Sequence, residues 1–193
     1  MKLLTKYLKR FFFRKKRFES DYNQLYYNFH DLGTYTYLLS LRLDDSIKDL
    51  NYKPNLNIPY FEKNTSPSLV EDQLGKPVVK VDIDTLKGLH ILHYKKIIHN
   101  QVKLKYNFHF YNKELVYYSE IYPYLNKDHR QKMFNDFINQ QHTDCFEMNK
   151  RCVFNYQNLM VVVENSIDLS FHYVFINQEL EKVFNQAKQA FKI

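Results

Sequence analysis

Hydrophobic and polar positions alternate with a period of two in several parts of this chain, and that period is typical of β-strands. The alternation predicts strands at residues 34–43, 79–83, 102–111 and 167–175, with a further extended run ending at Tyr122. Asn112 and Lys113 separate two of these runs, so residues 102–122 are predicted to form a long β-hairpin. Residues 143–148 are predicted to add one short strand.

Other stretches carry apolar residues at the spacing of an amphipathic helix. They predict helices near residues 1–17, 19–32, 85–99, 152–160 and 178–193. In 85–99 the polar face is narrow, since Gly88, Lys95 and His99 cluster on the helical wheel and the apolar residues occupy the remainder. Residues 123–142 are polar and show either no period or a weak helical one.

The order of these elements suggests a fold and a division of the chain. Residues 44–76 contain three prolines and several asparagines without sustained periodicity, which indicates a linker or a long surface segment. The chain is therefore divided into an N-terminal extension (1–76), a central domain (77–177) and a C-terminal helix (178–193). Strand, helix, strand, strand, helix and strand follow one another in the central domain, which predicts an α+β, ferredoxin-like split βαβ fold (βαββαβ).

Composition excludes several classes of enzyme. With only three glycines in 193 residues, the chain has no Gly-rich phosphate loop, dinucleotide fingerprint or nucleophile elbow. Its 17 Tyr and 16 Phe against three Gly and five Pro match AT-rich codons. Such a skew suits an organelle genome, an endosymbiont, or an AT-rich protist or virus, and it makes an aromatic or basic residue weaker support for a binding site.

The positive charge is concentrated at the beginning of the chain. Residues 1–17 hold eight of the 28 Lys and Arg and none of the 21 Asp and Glu, so they carry +8 while the remainder sums to −1. Four interpretations are open for this basic amphipathic segment: an import signal, a membrane-surface helix, an arm that neutralises nucleic-acid phosphates, or a solvated helical end. The arm would use Lys9, Arg10, Arg14, Lys15, Lys16 and Arg17.

Candidate catalytic and metal chemistry is sparse. The spacing of His90 and His93, and that of His142, Cys145 and Cys152, matches no zinc signature, so no metal or other cofactor is predicted. Asp82 and Asp84 form a carboxylate pair, but acids at the end of a strand and next to a helix start usually cap the helix. No nucleophile, base and orienting group can be assembled, and the sequence predicts a protein that is not an enzyme. No stretch approaches the roughly 20 apolar residues that a transmembrane helix needs.

Several short motifs together resemble one protein family. They are Asn112-Lys113-Glu114, an aromatic strand, the run from Pro123 to Arg130 with Asn126-Lys127-Asp128 inside it, and Leu159-Met160 before a strand that opens Ile167-Asp168-Leu169. In order and spacing they resemble the small-subunit ribosomal protein S-ten family, over residues 77–177. His142 falls where that family has a histidine, whereas Asp144 stands where the family has an arginine.

The resemblance implies a structural component of the small ribosomal subunit, placed in its head, with small-subunit rRNA and neighbouring ribosomal proteins as partners. With the codon skew it also implies a mitochondrial ribosome. The residues that would bind RNA or protein are Lys113, Asn126, Lys127, Asp128, His129, Arg130, Lys132 and His142.

The chemistry of these residues favours a projecting hairpin tip that neutralises phosphates. The planar guanidinium of Arg130 suits two phosphate oxygens, Lys127 acts as a point charge, and Asn126 and Asp128 shape the turn through their own backbone. A merely solvated loop is the alternative. Lys103, Lys105, Asn107 and His109 lie on one strand face, and they are predicted either to follow phosphates or, in preference, to form a solvent face over a Tyr and Phe core.

Two other functions are compatible with the sequence. A peripheral subunit of a membrane-associated complex, anchored by the basic amphipathic N-terminal helix, is the main alternative. An enzyme built on a ferredoxin-like core ranks last.

Overall fold

The computed structural model describes residues 61–83, 87–97, 102–140, 146–148, 151–175, 177–179 and 181–182. Helices α1 (Pro67–Leu74) and α2 (Lys127–Gln140) lie in this part of the chain. The first four strands are β1 (Val79–Asp82), β2 (Leu89–Ile97), β3 (Lys103–Tyr111) and β4 (Glu114–Tyr122). The last four are β5 (Phe146–Met148), β6 (Arg151–Tyr156), β7 (Leu159–Asn165) and β8 (Leu169–Phe175).

All eight of these strands belong to one antiparallel sheet with the order β1-β2-β3-β4-β8-β7-β6-β5. Each half of the sheet is a four-stranded meander preceded by a helix, and the halves meet where β4 pairs with β8. The predicted ferredoxin-like βαββαβ fold is therefore wrong, because that fold has four strands and inserts a helix after its first strand and after its third.

Helix α2 connects the two meanders. The chain leaves β4 in the centre of the sheet and enters β5 at its edge, four strand positions away, which is roughly 19 Å at the usual strand spacing. A helix of 14 residues is about 21 Å long, so α2 spans this distance while packing on the sheet. Phe134 and Phe137 are its buried contacts with the core.

The predicted β3–β4 hairpin is confirmed. Asn112 and Lys113 have φ angles of 50° and 71°, the left-handed conformation that two-residue hairpin turns require, and Asn tolerates this conformation better than most residues do. Tyr111 pairs with Glu114 across the turn, and the register continues to Lys105 opposite Ile121, with one irregularity at His109 and Phe110.

One face of the sheet, together with α1 and α2, encloses an aromatic core. Phe61 makes edge-to-face contacts with Phe108 and Tyr118, at centroid distances of 4.8 and 5.8 Å, and Phe137 makes the same kind of contact with Phe171 at 5.0 Å. Val70 of α1 is also fully buried in this core. The packed body therefore includes described residues on the N-terminal side of the boundary predicted near residue 76.

The predicted helix over residues 85–99 is wrong, because residues 89–97 form strand β2. This strand is buried on both faces from Ile91 to Tyr94. Period-two alternation disappears where water touches neither face of a sheet. The wide apolar side that suggested a helix is thus explained by a strand with two buried faces.

The predicted helix over residues 152–160 is also wrong, and its apolar stripe is divided between two strands. Gln157, with φ 52°, and Asn158 form the turn that joins β6 to β7. Cys152 and Val153 precede this turn and Leu159 follows it, so their helical spacing is a product of the turn length. The short strand predicted at 143–148 corresponds to β5, and the last predicted strand to β8.

Residues 126–140 do not form the tip of a projecting hairpin. Asn126 caps α2, and Lys127–Gln140 is helical and packs against the sheet through Phe134 and Phe137. Apolar residues at 134 and 137 with partly buried Ile138 supply the i, i+3 and i+4 contacts of an amphipathic helix. Of the predicted C-terminal helix, residues 178, 179, 181 and 182 are described and are helical.

Gly88 supports the β3–β4 turn, and we expect Gly88→Ala to lower the free energy of unfolding by about 2 kcal/mol. Its φ is +92°, and a Cβ there would lie 2.5 Å from Oδ1 of Asn112, whose backbone N–H donates to Gly88 O at 3.1 Å. Asn112→Ala provides the control, because it removes the side chain that the added Cβ would meet. In the Asn112→Ala protein, Gly88→Ala should cost about 1 kcal/mol, for backbone strain alone. Urea denaturation measures both, and equal losses in the two backgrounds would contradict the steric role of Asn112.

Candidate nucleic-acid interface

Most of the predicted binding residues lie together at one end of the sheet. At this end β3 begins, β4 ends and β8 begins, as the pairs Lys105–Ile121 and Tyr122–Leu169 show. The chain then passes from Tyr122 directly into α2. The first turns of α2 are thereby brought beside the beginning of β3 and the connection between β7 and β8.

Asn126 bonds its own backbone, as the sequence predicted, but it caps the start of helix α2 where a hairpin turn was expected. Its side-chain Oδ1 accepts a hydrogen bond from the backbone N–H of His129 at 2.8 Å, which is an N-cap. Its backbone carbonyl accepts from the N–H of Arg130 at 3.0 Å. Asp128 lies exposed in the first turn, where a carboxylate interacts favourably with the helix dipole.

Arg130 bonds inside the protein. Its Nε donates to Oδ1 of Asn165 at 2.7 Å and its Nη1 donates to the carbonyl of Ile167 at 2.6 Å. Asn165 in turn donates to Oε1 of Gln131 at 2.9 Å. These bonds fasten α2 to the connection between β7 and β8, so the guanidinium positions this end of the sheet.

The exposed basic side chains at this end are Lys127, His129 and Lys132 in the first two turns of α2 and Lys103 at the start of β3. Sequence reasoning missed the aromatic residue beside them. Tyr124 is 81% exposed, and Nζ of Lys103 lies 5.1 Å from the centroid of its ring. We call the set Lys103, Tyr124, Lys127, His129 and Lys132 the cationic end.

Two further features distinguish the cationic end. Tyr124 has a φ of 66°, which is uncommon for an aromatic residue. Ile167 is 88% exposed, although its carbonyl is held by Arg130. Two large hydrophobic side chains, Tyr124 and Ile167, are therefore exposed near the first turns of α2. The signal in the sequence was Tyr124 itself, an aromatic residue within a polar stretch.

The remaining predicted site residues are not in this group. Lys113 is exposed in the β3–β4 turn at the opposite end of the sheet. Eight residue steps along β3 separate the two ends, a distance of about 27 Å. His142 and the basic arm with Lys9, Arg10, Arg14, Lys15, Lys16 and Arg17 lie outside the described residues.

The other face of the sheet carries a buried row of polar side chains. His93, Asn107 and Ser119 are register partners on β2, β3 and β4. Nδ1 of His93 lies 2.7 Å from Oδ1 of Asn107, and Nδ2 of Asn107 donates to Oγ of Ser119 at 3.1 Å. The predicted solvent or phosphate-tracking face on β3 is wrong at two positions, since Asn107 is 6% exposed and His109 is fully buried.

The row continues across β4, β8, β7 and β6. The hydroxyl of Tyr117 lies 2.9 Å from Nδ1 of His172, and Nε2 of His172 lies 3.0 Å from Oγ of Ser170. Arg151 Nε donates to Oε1 of Glu164 at 2.7 Å. Burial lowers the pKa of His172 to about 4, against the opposing effect of Glu164, and burial alone lowers the pKa of His109.

This row has a structural role, because its members bond one another inside the protein. Unpaired polar groups in a sheet buried on both faces would be costly, and the row pairs them strand by strand. Among the described residues, no three His, Cys, Asp or Glu side chains are grouped in a way that would hold a metal ion. Cys152 is fully buried in the aromatic core.

No protein-family model, no curated protein and no solved structure matches this chain. Within the described part of the chain, neither helix combines the length and the apolar character that crossing a bilayer demands.

Proposed function

We propose that this protein is a non-catalytic RNA-binding component of a ribonucleoprotein and that it contacts RNA through the cationic end. One observation supports this most directly: Tyr124 stands almost fully exposed against Lys103, directly before a helix whose first two turns expose Lys127, His129 and Lys132. Lysines neutralise phosphates, and an exposed aromatic ring offers a face to a base, which is the usual pair of contacts in RNA binding.

The roles within the cationic end follow from the bonds already described. Lys127 and Lys132 supply charge for phosphate oxygens, and His129 adds a further hydrogen-bonding group. Arg130 contributes by holding α2 to the rest of the sheet through Asn165 and Ile167. The acidic Asp128 offsets one positive charge, so this surface binds RNA with moderate affinity unless a second basic segment assists it.

The basic segment of residues 1–17 is the proposed second contact. Its eight cations and lack of acids would supply the nonspecific part of the affinity, which depends strongly on salt. In this division of labour the N-terminal segment attracts the RNA and the cationic end orients it.

The ribonucleoprotein that we propose is the small subunit of a mitochondrial ribosome, with small-subunit rRNA and neighbouring ribosomal proteins as partners. The motif from Asn126 to Arg130, the codon skew and the basic first segment support this proposal. It does not rest on the architecture of the S-ten family, since the sheet of this protein is different. Affinity purification of the tagged full chain from its native cells tests it, and recovery without small-subunit RNA would contradict it.

The RNA contact itself is tested by neutralising two lysines of the cationic end. We expect Lys127→Gln with Lys132→Gln to weaken binding of a small-subunit rRNA fragment about five- to tenfold at 0.1 M salt. The slope of log K against log salt should fall by about 0.7 for each phosphate that is no longer neutralised. Fluorescence anisotropy over a salt series measures both quantities.

A matched control removes the same charge at the other end of the sheet. Lys87 and Lys113 are exposed there, and Lys87→Gln with Lys113→Gln should leave the salt slope close to that of the unaltered protein. Equal effects of the two pairs would show that only net charge matters and would contradict the cationic end as a site. Flotation of the full chain with anionic vesicles, in place of RNA binding, would favour the membrane-associated alternative.

A further inference from the structure

We propose that Tyr124 and Lys103 form a stacking platform for one unpaired base, so that the cationic end selects single-stranded RNA over duplex RNA. This inference rests on the proposed function and gives it a substrate class. It concerns a contact made by Tyr124, which the sequence did not identify, together with Lys103. This contact is separate from the phosphate contacts made by Lys127 and Lys132.

The exposure of Tyr124 is the first observation behind this inference. The other tyrosines of the β3–β4 hairpin, at positions 106, 111, 117, 118 and 122, are all buried, whereas Tyr124 is 81% exposed only two residues after the last of them. A ring exposed to this extent has at least one open face. Such faces stack on bases with little regard to sequence.

The second observation is that the platform is held in place. Tyr124 has a positive φ of 66°, a conformation that an aromatic residue keeps only where its surroundings impose it. On its N-terminal side the chain is fixed by β4, which ends at Tyr122, and on its C-terminal side by the Asn126 cap of α2. The ring is therefore presented from a short segment anchored at both ends.

The third observation is the cation on the ring. Nζ of Lys103 lies 5.1 Å from the ring centroid, in the range of a cation–π contact, and Lys103 is itself exposed. An ammonium group beside a stacked base can bond the adjoining phosphate of the same nucleotide. The two side chains together provide contacts for a base and for its backbone.

This arrangement discriminates between single-stranded and duplex RNA. Bases inside a duplex have both faces covered by their neighbours, so they cannot reach the ring without being unstacked. Bases in loops, bulges and single strands have accessible faces and are the usual targets of aromatic side chains in RNA recognition. A preference for unpaired RNA is thus the direct consequence of binding through Tyr124.

The absence of tryptophan from the chain permits a direct test. Tyr124→Trp in the full-length protein introduces a single indole at the platform. We expect its fluorescence to be quenched when an oligo(A) or oligo(U) of about 10 nucleotides binds, and to change much less with a blunt RNA duplex of equal charge. Tyr156→Trp is the control, since Tyr156 lies next to the β6–β7 turn, at the opposite end of the sheet.

Affinity measurements complete the test. Tyr124→Ala should weaken single-strand binding about tenfold and duplex binding very little, whereas Tyr124→Phe, which keeps the ring, should bind like the unaltered protein. Quenching in the Tyr124→Trp protein without quenching in the Tyr156→Trp protein supports the platform.

The possible failures are distinguishable. RNA binding that leaves the Tyr124→Trp fluorescence unchanged and tolerates Tyr124→Ala would overturn the platform and keep the proposed function. Equal quenching by single strands and duplex would overturn the selectivity. No binding of the unaltered chain to either RNA would overturn both the platform and the proposed function, and would favour a protein partner for this surface.

Discussion

Replacing Glu120 with glutamine is expected to stabilise this protein at neutral pH, by about 2 kcal/mol. Glu120 is fully buried on the helix-covered face of β4. Within the described residues its Oε1 has no hydrogen-bond partner, and its Oε2 accepts only a long bond of 3.5 Å from the hydroxyl of Tyr122. The register places Tyr106 on one side and Phe171 on the other, so the carboxyl lies among aromatic rings.

Burial raises the pKa of Glu120 to about 8, and the bond from Tyr122 opposes this only in part. Below pH 4.5 the carboxyl is protonated in both the folded and the unfolded chain. Between pH 4.5 and about 8 the unfolded chain loses the proton while the folded protein keeps it, so the free energy of unfolding falls by about 1.4 kcal/mol per pH unit. Above about pH 8 the loss is complete.

At pH 7 this penalty is about 3 kcal/mol, and glutamine removes it because an amide does not ionise. The amide itself costs about 1 kcal/mol of stability, because it also finds few hydrogen-bond partners at this position. We therefore expect Glu120→Gln to gain about 2 kcal/mol of stability at pH 7 and to lose about 1 kcal/mol at pH 4. Chemical denaturation at both pH values measures the difference.

Glu164→Gln is the matched control. Glu164 is partly buried and accepts a bond of 2.7 Å from Arg151, so its neutralisation should cost about 1 kcal/mol at pH 7. Opposite signs for the two substitutions would distinguish a buried unpaired acid from a paired one. A loss of stability in the Glu120→Gln protein at pH 7 would refute the protonated state that we assign to this carboxyl.

Protonation of His172 is expected to contribute a loss of stability on acidification, of up to about 3 kcal/mol between pH 6.5 and pH 4, and Glu120 contributes with the opposite sign over most of this window. Burial lowers the pKa of His172 to about 4, with Glu164 opposing and Arg151 adding to the shift. In this window the unfolded chain binds a proton that the folded protein excludes, so stability rises with pH and is lost as the pH falls. Below about pH 4 the loss levels off.

Replacement of His172 by glutamine should remove its contribution to the pH dependence and leave those of Glu120 and His109, which oppose each other. The variant loses the hydrogen bonds with Tyr117 and Ser170, so we expect it to be less stable than the unaltered protein at pH 7, by about 1–2 kcal/mol. At about pH 4.5 the difference should disappear or reverse, because the variant has no imidazole to protonate. Thermal unfolding from pH 4 to 8 measures both curves.

Ser170→Ala separates the hydrogen bond from the titration. It removes the hydroxyl that lies 3.0 Å from Nε2 of His172 and keeps the imidazole. Its stability curve should therefore lie below that of the unaltered protein and run parallel to it. If the His172→Gln curve also ran parallel to that of the unaltered protein, His172 would not contribute to the pH dependence of stability.

Part of the fold could be predicted from the sequence and part could not, and individual β-strands show the reason. In the β3–β4 hairpin, Asn112 and Lys113 are a local turn signal, and the runs on both sides were correctly assigned as strands. In β2 both faces are buried, so the alternation that identifies a strand is lost. The turn at Gln157 was missed because no glycine or proline marks it. Without that turn, the apolar residues of β6 and β7 have the spacing of a single helix.

The candidate site divides in the same way. The sequence identified Asn126, Lys127, His129 and Lys132 by type and order, and these residues do lie together. It assigned Arg130 to phosphate, whereas the fold brings Asn165 and the carbonyl of Ile167, which are distant in sequence, within bonding distance of its guanidinium. Burial of Asn107 and His109 likewise depends on a second covered face, which no local pattern indicates.

The sequence by itself determined the strand and turn chemistry of the β3–β4 hairpin and the placement of charge at the start of the chain, because each depends on neighbours within a few residues. Only the tertiary structure decided that β4 pairs with β8, that a helix replaces the expected hairpin tip, and that Tyr124 stands exposed beside Lys103. These outcomes depend on which distant segments pack together, and packing energy outweighs local preference wherever both faces of a strand are buried.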